Sequence, residues 1–411
     1  MLLLNTTNLE LEEFLGKDVP PYAILSHMWG NDEVTFQDLR TGHAKKKAGF
    51  TKLRRFCTLA KDHQLNYAWM DTCCIDKTSS AELSEAINSM YLWYQMSAVC
   101  YAYLEDVHDD EDPTKEESSF RQSRWFTRGW TLQELIAPSY VYFYSTNWKI
   151  LGSKLKIRRN DRVLSHRKQF QMTVAPDLRK LLSTITGISL RILKTPNMLQ
   201  NCAAAKRMSW AASRETTRPE DIAYCLMGIF GVNMPLLYGE GEQKAFNRLQ
   251  EEILKATEDD TLLMHICPEN DCYHIYHSPL ASSPKGFRGL GAIEKGETES
   301  LFLGRNSPSR MTPKGLQVQL PMCPCVIENS DRRLSKKAYI GILDCIVSPE
   351  SYLDRGVIVL VQLSNNLFFR HSNSVISRFE FEKQEVVLEQ KHPAGIIKGI
   401  RCHLLRKLGN E

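Results

Sequence analysis

The chain has 411 residues, 43% of them hydrophobic and 24% charged, which excludes a disordered or fibrous protein and supplies apolar surface for two or three globular cores. Its formal net charge of +4 is slight for the length, and Lys and Arg are interspersed with acids. There is no basic stripe of the kind that binds nucleic acid.

The opening "MLLLNTTNLELEEFLG" has too short an apolar run, and acids too early, for a signal peptide. No later run reaches the ~20 apolar residues that span a bilayer, so a cytoplasmic protein with no membrane span is expected. Four short segments then follow: "YAILSH" (22–27), "NYAWMD" (66–71), "VCYAYL" (99–104) and "VYFYS" (141–145). All are nearly continuous apolar runs rich in β-branched or aromatic residues, as strands buried on both faces are. Between the first two, Leu53, Phe56, Cys57 and Ala60 fall at i, i+3, i+4 and i+7, one apolar face of a helix. Between the second and third, Leu83, Ile87, Met90 and Tyr94 repeat the device, and Ser79 or Ser80 is placed to cap that helix. An acidic loop, "EDVHDDEDPTKEESS", precedes a third helix expected from a Ser123 cap to about Ala137, where Pro138 stops it.

The order β-α-β-α-β-α-β describes an α/β fold, an open parallel sheet wound on both faces. Ligands of such sheets gather at the carboxyl ends of the strands, where loops and helix N-termini converge. This chain places His27, Trp29, Asp32, Asp71, Asp76 and Asp106 on that rim. Each has a plainer role open to it: histidine as a satisfied core residue, Trp29-Gly30 as a turn, and the aspartates as caps. Only their convergence favours a site.

Beyond residue 150, "LRKLLSTITGI", "AAAKRMSWAAS", "TRPEDIAYCLMGIFG" and "FNRLQEEILKAT" read as helices, the third opening on a Thr217 to Glu220 capping box and closing near Gly231. Gly239-Glu240-Gly241 reads as a turn. From about 258, "GLQVQLPMCP", "AYIGILDCIV" and "GVIVLVQLS" read as strands. The division expected is residues 1–150, 151–257 and 258–411: an α/β domain, a helical subdomain and a β-rich accessory domain. Twelve cysteines include the adjacent Cys73 and Cys74, the Cys323/Cys325 pair around a proline, and Cys267 and Cys272, but no recurrent CxxC with His partners. Buried reduced thiols, with no metal site, are expected.

"YAILSHMWG", "YAWMDTCCID", "SSAELSEAINSMYLWY" and "SRWFTRGWTLQELIAP" together resemble the fungal heterokaryon incompatibility (HET) domain over roughly residues 1–150. The segment from Lys206 to Leu254 is similar to the region that follows this domain in large fungal proteins of the group. Neither GxxxxGK[ST] nor GxGxxG occurs, so no nucleotide-switch or Rossmann cofactor motif is present.

The resemblance implies a trigger of programmed cell death, a form of innate immunity, when unlike fungal cells fuse. It also implies a TIR/flavodoxin-like open sheet. Many TIR domains carry a Trp-Cys-x-x-Glu-Leu signature, and some use its glutamate to cleave NAD. "GWTLQEL" places Trp130, Glu134 and Leu135 in a similar register, with one extra residue between indole and acid. The likeness therefore implies NAD hydrolase (nucleosidase) activity with NAD as substrate and no bound cofactor, and Glu134 as the catalytic carboxylate that stabilises the ribosyl cation and then orients or deprotonates water. Trp29 or Trp130 would stack on a ring, Ser26 or His27 would hold a ribose or phosphate oxygen, and Asp32, Asp71 and Asp76 would take ribose hydroxyls. Arg124 or Arg128 would meet the pyrophosphate, and Gly30 and Cys74 line the same rim. The other reading is a non-enzymatic domain that self-associates and binds other incompatibility proteins, its rim an assembly surface. A third, a Cys-His hydrolase using Cys73 or Cys74 with His27, lacks a signature around the thiol.

Overall fold

The computed structural model describes residues 1–16, 18–154, 174–257, 259–265 and 276–296, and strand segments between 310 and 403. Cys267 and Cys272 lie outside the described residues. The chain forms two compact units. The first comprises Met1–Leu199, Arg214–Thr217 and Tyr224–Leu236; the second comprises Gln200–Ser213, Arg218–Ala223 and Leu237–Glu411.

The first unit is built on a seven-stranded mixed sheet. Its strands are β1 (Leu2–Asn5), β2 (Leu11–Glu13), β3 (Tyr22–His27), β4 (Tyr67–Trp69), β5 (Val99–Tyr103), β6 (Val141–Tyr144) and β7 (Ile150–Ser153), in the order β2-β1-β4-β3-β5-β6-β7. The four expected strands form the parallel centre, β4-β3-β5-β6. The N-terminal hairpin β1-β2 and the strand β7 extend it antiparallel on either side. The central strands are buried along almost their whole length, which explains their lack of polar alternation.

Five helices accompany this sheet: α1 (Phe36–Arg40), α2 (Phe50–Asp62), α3 (Ser80–Met96), α4 (Ser119–Gln122) and α5 (Thr131–Ile136). On α2 the buried residues are Leu53, Phe56, Cys57 and Ala60, the stripe read from the sequence. Removing such side chains from water contributes about 1.5–3 kcal/mol for each of the larger ones. Ser79 caps α3 by accepting from the Glu82 N–H at 3.3 Å, and α3 buries Ala86, Ile87, Met90 and Tyr94. Leu83, at the first turn, is only half-buried. From β3 the chain crosses to β4 on one side and returns past it to β5 on the other. Right-handed crossovers in opposite directions put α2 on one face of the sheet and α3 and α5 on the other.

The third crossover differs from the expected single helix. Ser123 does cap, accepting from the Trp125 N–H at 3.3 Å, but what it caps is one tight turn, Arg124–Thr127. The chain then leaves helical geometry because Arg128 and Gly129 pair with residue 215: the Gly129 N–H donates to the Glu215 carbonyl at 2.9 Å. A Cβ on Gly129 would sit 2.6 Å from Thr216 Cγ2 and 3.0 Å from Cys225 Sγ, so glycine leaves room for these two side chains. Helix α5 begins after this detour, with Trp130 as its N-cap.

Elsewhere in this unit, the helix Arg179–Thr186 ends at Gly187 and Met227–Phe230 at Gly231, both in the left-handed conformation. The second unit contains the helices Ala204–Ser209 and Glu242–Ala256; the latter buries Ala245, Phe246, Leu249 and Ile253 along one stripe. Glu220 accepts from the Gly239 and Gly241 N–H groups at 2.8 and 3.0 Å, so its carboxylate ties the Gly239-Glu240-Gly241 turn. The strands Ala338–Ser348 and Ser351–Ser364 pair antiparallel within a larger sheet. Among the described residues no helix is long and apolar enough to cross a membrane.

Candidate functional site

Strand β3 ends in Ser26 and His27, and β-strand alternation sends consecutive side chains to opposite faces. Ser26 points to the α5 face. Its hydroxyl donates to Glu134 Oε2 in a very short contact and accepts from the Trp125 indole N–H at 2.8 Å. Glu134 is 7% exposed and also shares a hydrogen bond with Tyr94. The Tyr94 hydroxyl also donates to the Leu25 carbonyl at 2.9 Å, and its contact with Glu134 favours the ionised carboxyl. Burial pushes the Glu134 carboxyl up to about 8; the charge of Asp71 adds to the rise, while the hydrogen bond from Ser26 and the Arg214 cation oppose it. Arg214 donates to the Arg128 carbonyl at 2.8 Å and to Thr131 Oγ1 at 3.0 Å, fixing the first turn of α5.

His27 lies on the α2 face. Its Nδ1 is 3.1 Å from Lys52 Nζ, which can only donate, so its other nitrogen, Nε2, carries the proton toward Asp71 Oδ1 at 3.2 Å. The Trp29 indole donates to Asp71 Oδ2 at 2.8 Å, and Lys77 Nζ lies 3.9 Å from the same oxygen and 3.5 Å above the Trp29 ring. Burial works to raise the Asp71 carboxyl, but the Lys77 charge and the His27 and Trp29 donors outweigh it and hold the group at about 2. The two carboxyls interact through their charges and are held in different states, Asp71 anionic and Glu134 largely protonated at neutral pH. Such a split is how a site acquires a fixed anion beside a base.

The other rim residues separate from this pair. Gly30 and Asp32 line a cleft of about 540 Å³, with Glu33, Lys52, Tyr103 and Trp148 among its walls. The Gly30 N–H donates to Glu33 Oε1 at 2.7 Å, and Glu33 is ion-paired with Lys52. Asp32 is paired with Lys47 at 3.0 Å and accepts from the Ala48 N–H at 2.7 Å, which makes it a loop anchor. Asp76 accepts from Thr78 and from Gln37, as a turn aspartate does. Arg124 is largely exposed, 3.7 Å from Asp106, and Arg128 donates to Thr217 Oγ1 at 2.8 Å. Trp130 is half-buried at the start of α5.

Cys74 is buried, its sulfur accepting from the Met70 N–H at 3.4 Å. The Cys73 thiol is held well above its ordinary value by its contact with Cys74 and by burial, the opposite of an activated nucleophile. Cys57, Cys73, Cys74, Cys100, Cys202, Cys225 and Cys345 are buried.

Tyr94, Trp125, Arg214, Lys52 and Lys77 were not singled out from the sequence. Tyr94 read only as the end of an apolar stripe, and the two tryptophans of "SRWFTRGW" give no sign of which one reaches Ser26.

Residues 22–119 match the family model described as heterokaryon incompatibility protein (HET), a span that stops short of Glu134. Over 243 residues, 58% of the chain, the sequence is 44% identical to the vegetative incompatibility protein HET-E-1 of Podospora anserina. That alignment covers 16% of the relative, so the chain spans a minor part of its length. No solved structure matches the chain at a significant level.

Proposed function

This chain carries a fungal HET domain, and from that premise we propose that it triggers cell death when unlike fungal cells fuse, by hydrolysing NAD at Glu134 in a TIR-like fold. The observation that carries the reading is the split carboxyl pair at the carboxyl end of β3: Asp71 held at about 2, Glu134 raised to about 8. Cleavage of the bond between nicotinamide and ribose sends its electron pair to nicotinamide, which leaves neutral and strands a ribosyl cation. A fixed carboxylate, Asp71, stabilises that cation. Water adds to the ribosyl carbon and gives its proton to ionised Glu134, whose raised pKa makes it an effective base near neutrality. The proton then passes to solvent, leaving ADP-ribose and nicotinamide. The regions after about 150 and 257 act as a helical support and a β-rich accessory domain.

A second reading has its own support. Glu134 is nearly closed to solvent, while Trp29 is 58% exposed beside Lys77, as a surface for self-association or for other incompatibility proteins would be. The experiment that separates them incubates concentrated protein with a crowding agent and follows NAD and nicotinamide by chromatography, beside Glu134→Gln. Nicotinamide from the parent and none from the folded variant supports the hydrolase. Intact NAD in the presence of a folded, self-associating parent supports the assembly domain, and equal turnover by both proteins removes Glu134 as the catalytic group.

A further inference from the structure

We propose that the cleft over the carboxyl ends of β3 and β5 is a nucleotide site, taking a nucleoside monophosphate either free or as one half of a dinucleotide. Its place in the fold is the first argument. Strand β3 has β4 on one side and β5 on the other, so the chain leaves β3 in one direction and reaches β5 from the other. The loops part at that point, and doubly wound sheets hold ligands in the crevice so formed. Gly30 comes from the loop after β3, and Tyr103 and Glu105 from the end of β5. The volume of about 540 Å³ is that of a small-molecule pocket, for which ~300–1,000 Å³ is usual.

The lining supplies the chemistry. Trp148 stacks on Tyr103 with ring centroids 4.6 Å apart and planes 22° from parallel, a flat half-exposed platform for a base. Its backbone, with φ of 64°, takes the left-handed position of the turn between β6 and β7, where its N–H donates to the Ser145 carbonyl at 2.9 Å. Most charges of the cleft are already neutralised, Lys52 by Glu33 and Asp32 by Lys47. Arg55 and Glu105 are the exceptions: both are exposed, and neither has an ion-pair partner among the described residues. A guanidinium matches a phosphate through two parallel donors, and a carboxylate accepts from ribose hydroxyls. Arg55 stands one helical turn beyond Thr51 on α2, and both residues line the cleft.

Lys52 and Tyr103 put the cleft on the α2 face, whereas Ser26 and Glu134 meet on the α5 face. Lys52 also meets His27, the partner of Asp71, so the cleft borders the proposed hydrolase site, and AMP binding is read separately from NAD cleavage.

The test titrates AMP into the full chain, followed by calorimetry, with near-ultraviolet circular dichroism confirming that each variant is folded. Saturable binding is expected, weakened at least tenfold in Trp148→Leu and in Arg55→Gln. A folded parent that takes up no AMP at millimolar concentration overturns the proposal. Equal affinity in the parent and both cleft variants overturns it too, as does loss confined to Glu134→Gln. With binding in hand, competition by NAD identifies a dinucleotide as the source, and its absence a free nucleotide; either supports the site.

Discussion

The Ser26 hydroxyl and the Glu134 carboxyl, 108 positions apart in sequence, share a buried hydrogen bond, and the Trp125 indole donates into the same hydroxyl. Ser26→Ala removes the partner of both groups at once. Leaving buried polar atoms unsatisfied costs about 1–3 kcal/mol, which is the destabilisation expected in urea unfolding. The hydrogen bond from Ser26 also favours the ionised carboxyl. Its loss is expected to push Glu134 still higher, and a Glu134 titration unchanged in Ser26→Ala would show that the two groups are not coupled.

Glu134 makes stability depend on pH in the direction opposite to a surface carboxylate. Its folded value of about 8 lies above the ordinary 4.5, so between those values the folded state holds a proton that the unfolded chain has released. Stability from this group is complete below about pH 4.5 and is lost progressively as pH rises through about 8. In Glu134→Gln the decline is abolished. Relative to the parent, the variant is expected to gain stability from pH 5 to pH 8.5, measured as the difference in melting temperature at the two values.

Catalysis, on the proposed reading, follows the same ionisation with the opposite sign. A base must be deprotonated to accept the proton of water, so the rate of nicotinamide release is expected to climb through about pH 8 and then level. A plateau already reached near pH 5 would mean that an ordinary carboxylate serves instead.

Much of this geometry was written in the local sequence. Apolar runs marked the four parallel strands because both sheet faces are covered, and the Leu53-Phe56-Cys57-Ala60 stripe fixed the buried face of α2. The edge elements β1, β2 and β7 were not legible: strands of three or four residues with one face half-open carry too little pattern to be distinguished from a loop. The break before α5 escaped for a different reason. Gly129 is tolerated in a helical pattern, and what interrupts the helix is residue 215, far along the chain. Partners of Glu134 such as Tyr94 and Arg214 were hidden likewise, since nothing near either residue says what it meets across the fold. The separation of Asp32 and Asp76 from the Asp71 pair is also a tertiary fact; in sequence all three are aspartates after strands.

Lys154 secures the far end of α5. Its buried ammonium donates to the carbonyls of Leu135 at 2.8 Å and Ile136 at 3.2 Å, and to that of Pro138. These carbonyls are the acceptors that a helix end leaves without backbone partners. Burial lowers the Lys154 pKa to about 7, with the charge interaction with Cys100 opposing it. Lys154→Met preserves the stem but strands the carbonyls, and a loss of about 3 kcal/mol is expected from unsatisfied buried acceptors. Unfolding of the variant at the parent's denaturant midpoint would rule out this capping role.

Gly228 tests how α3 is held, and through it Tyr94. The helix Met227–Phe230 approaches α3 so closely that a Cβ on Gly228 would lie 2.1 Å from Tyr91 Cβ and 2.6 Å from its Cγ. The nearest atom is fixed to the backbone of α3, so no rotamer relieves the overlap and the two helices must separate. Overpacking of this kind costs typically about 1–3 kcal/mol, and a rigid neighbour favours the upper end. Tyr91 precedes Tyr94 by one turn of α3, so the displacement also draws the Tyr94 hydroxyl away from Glu134. Gly228→Ala is therefore expected to lower the melting temperature and, together with it, to alter the titration of Glu134, although residue 228 touches neither carboxyl. A variant with lowered melting temperature and an unchanged Glu134 titration would confine the effect to packing and remove the link from α3 to the site.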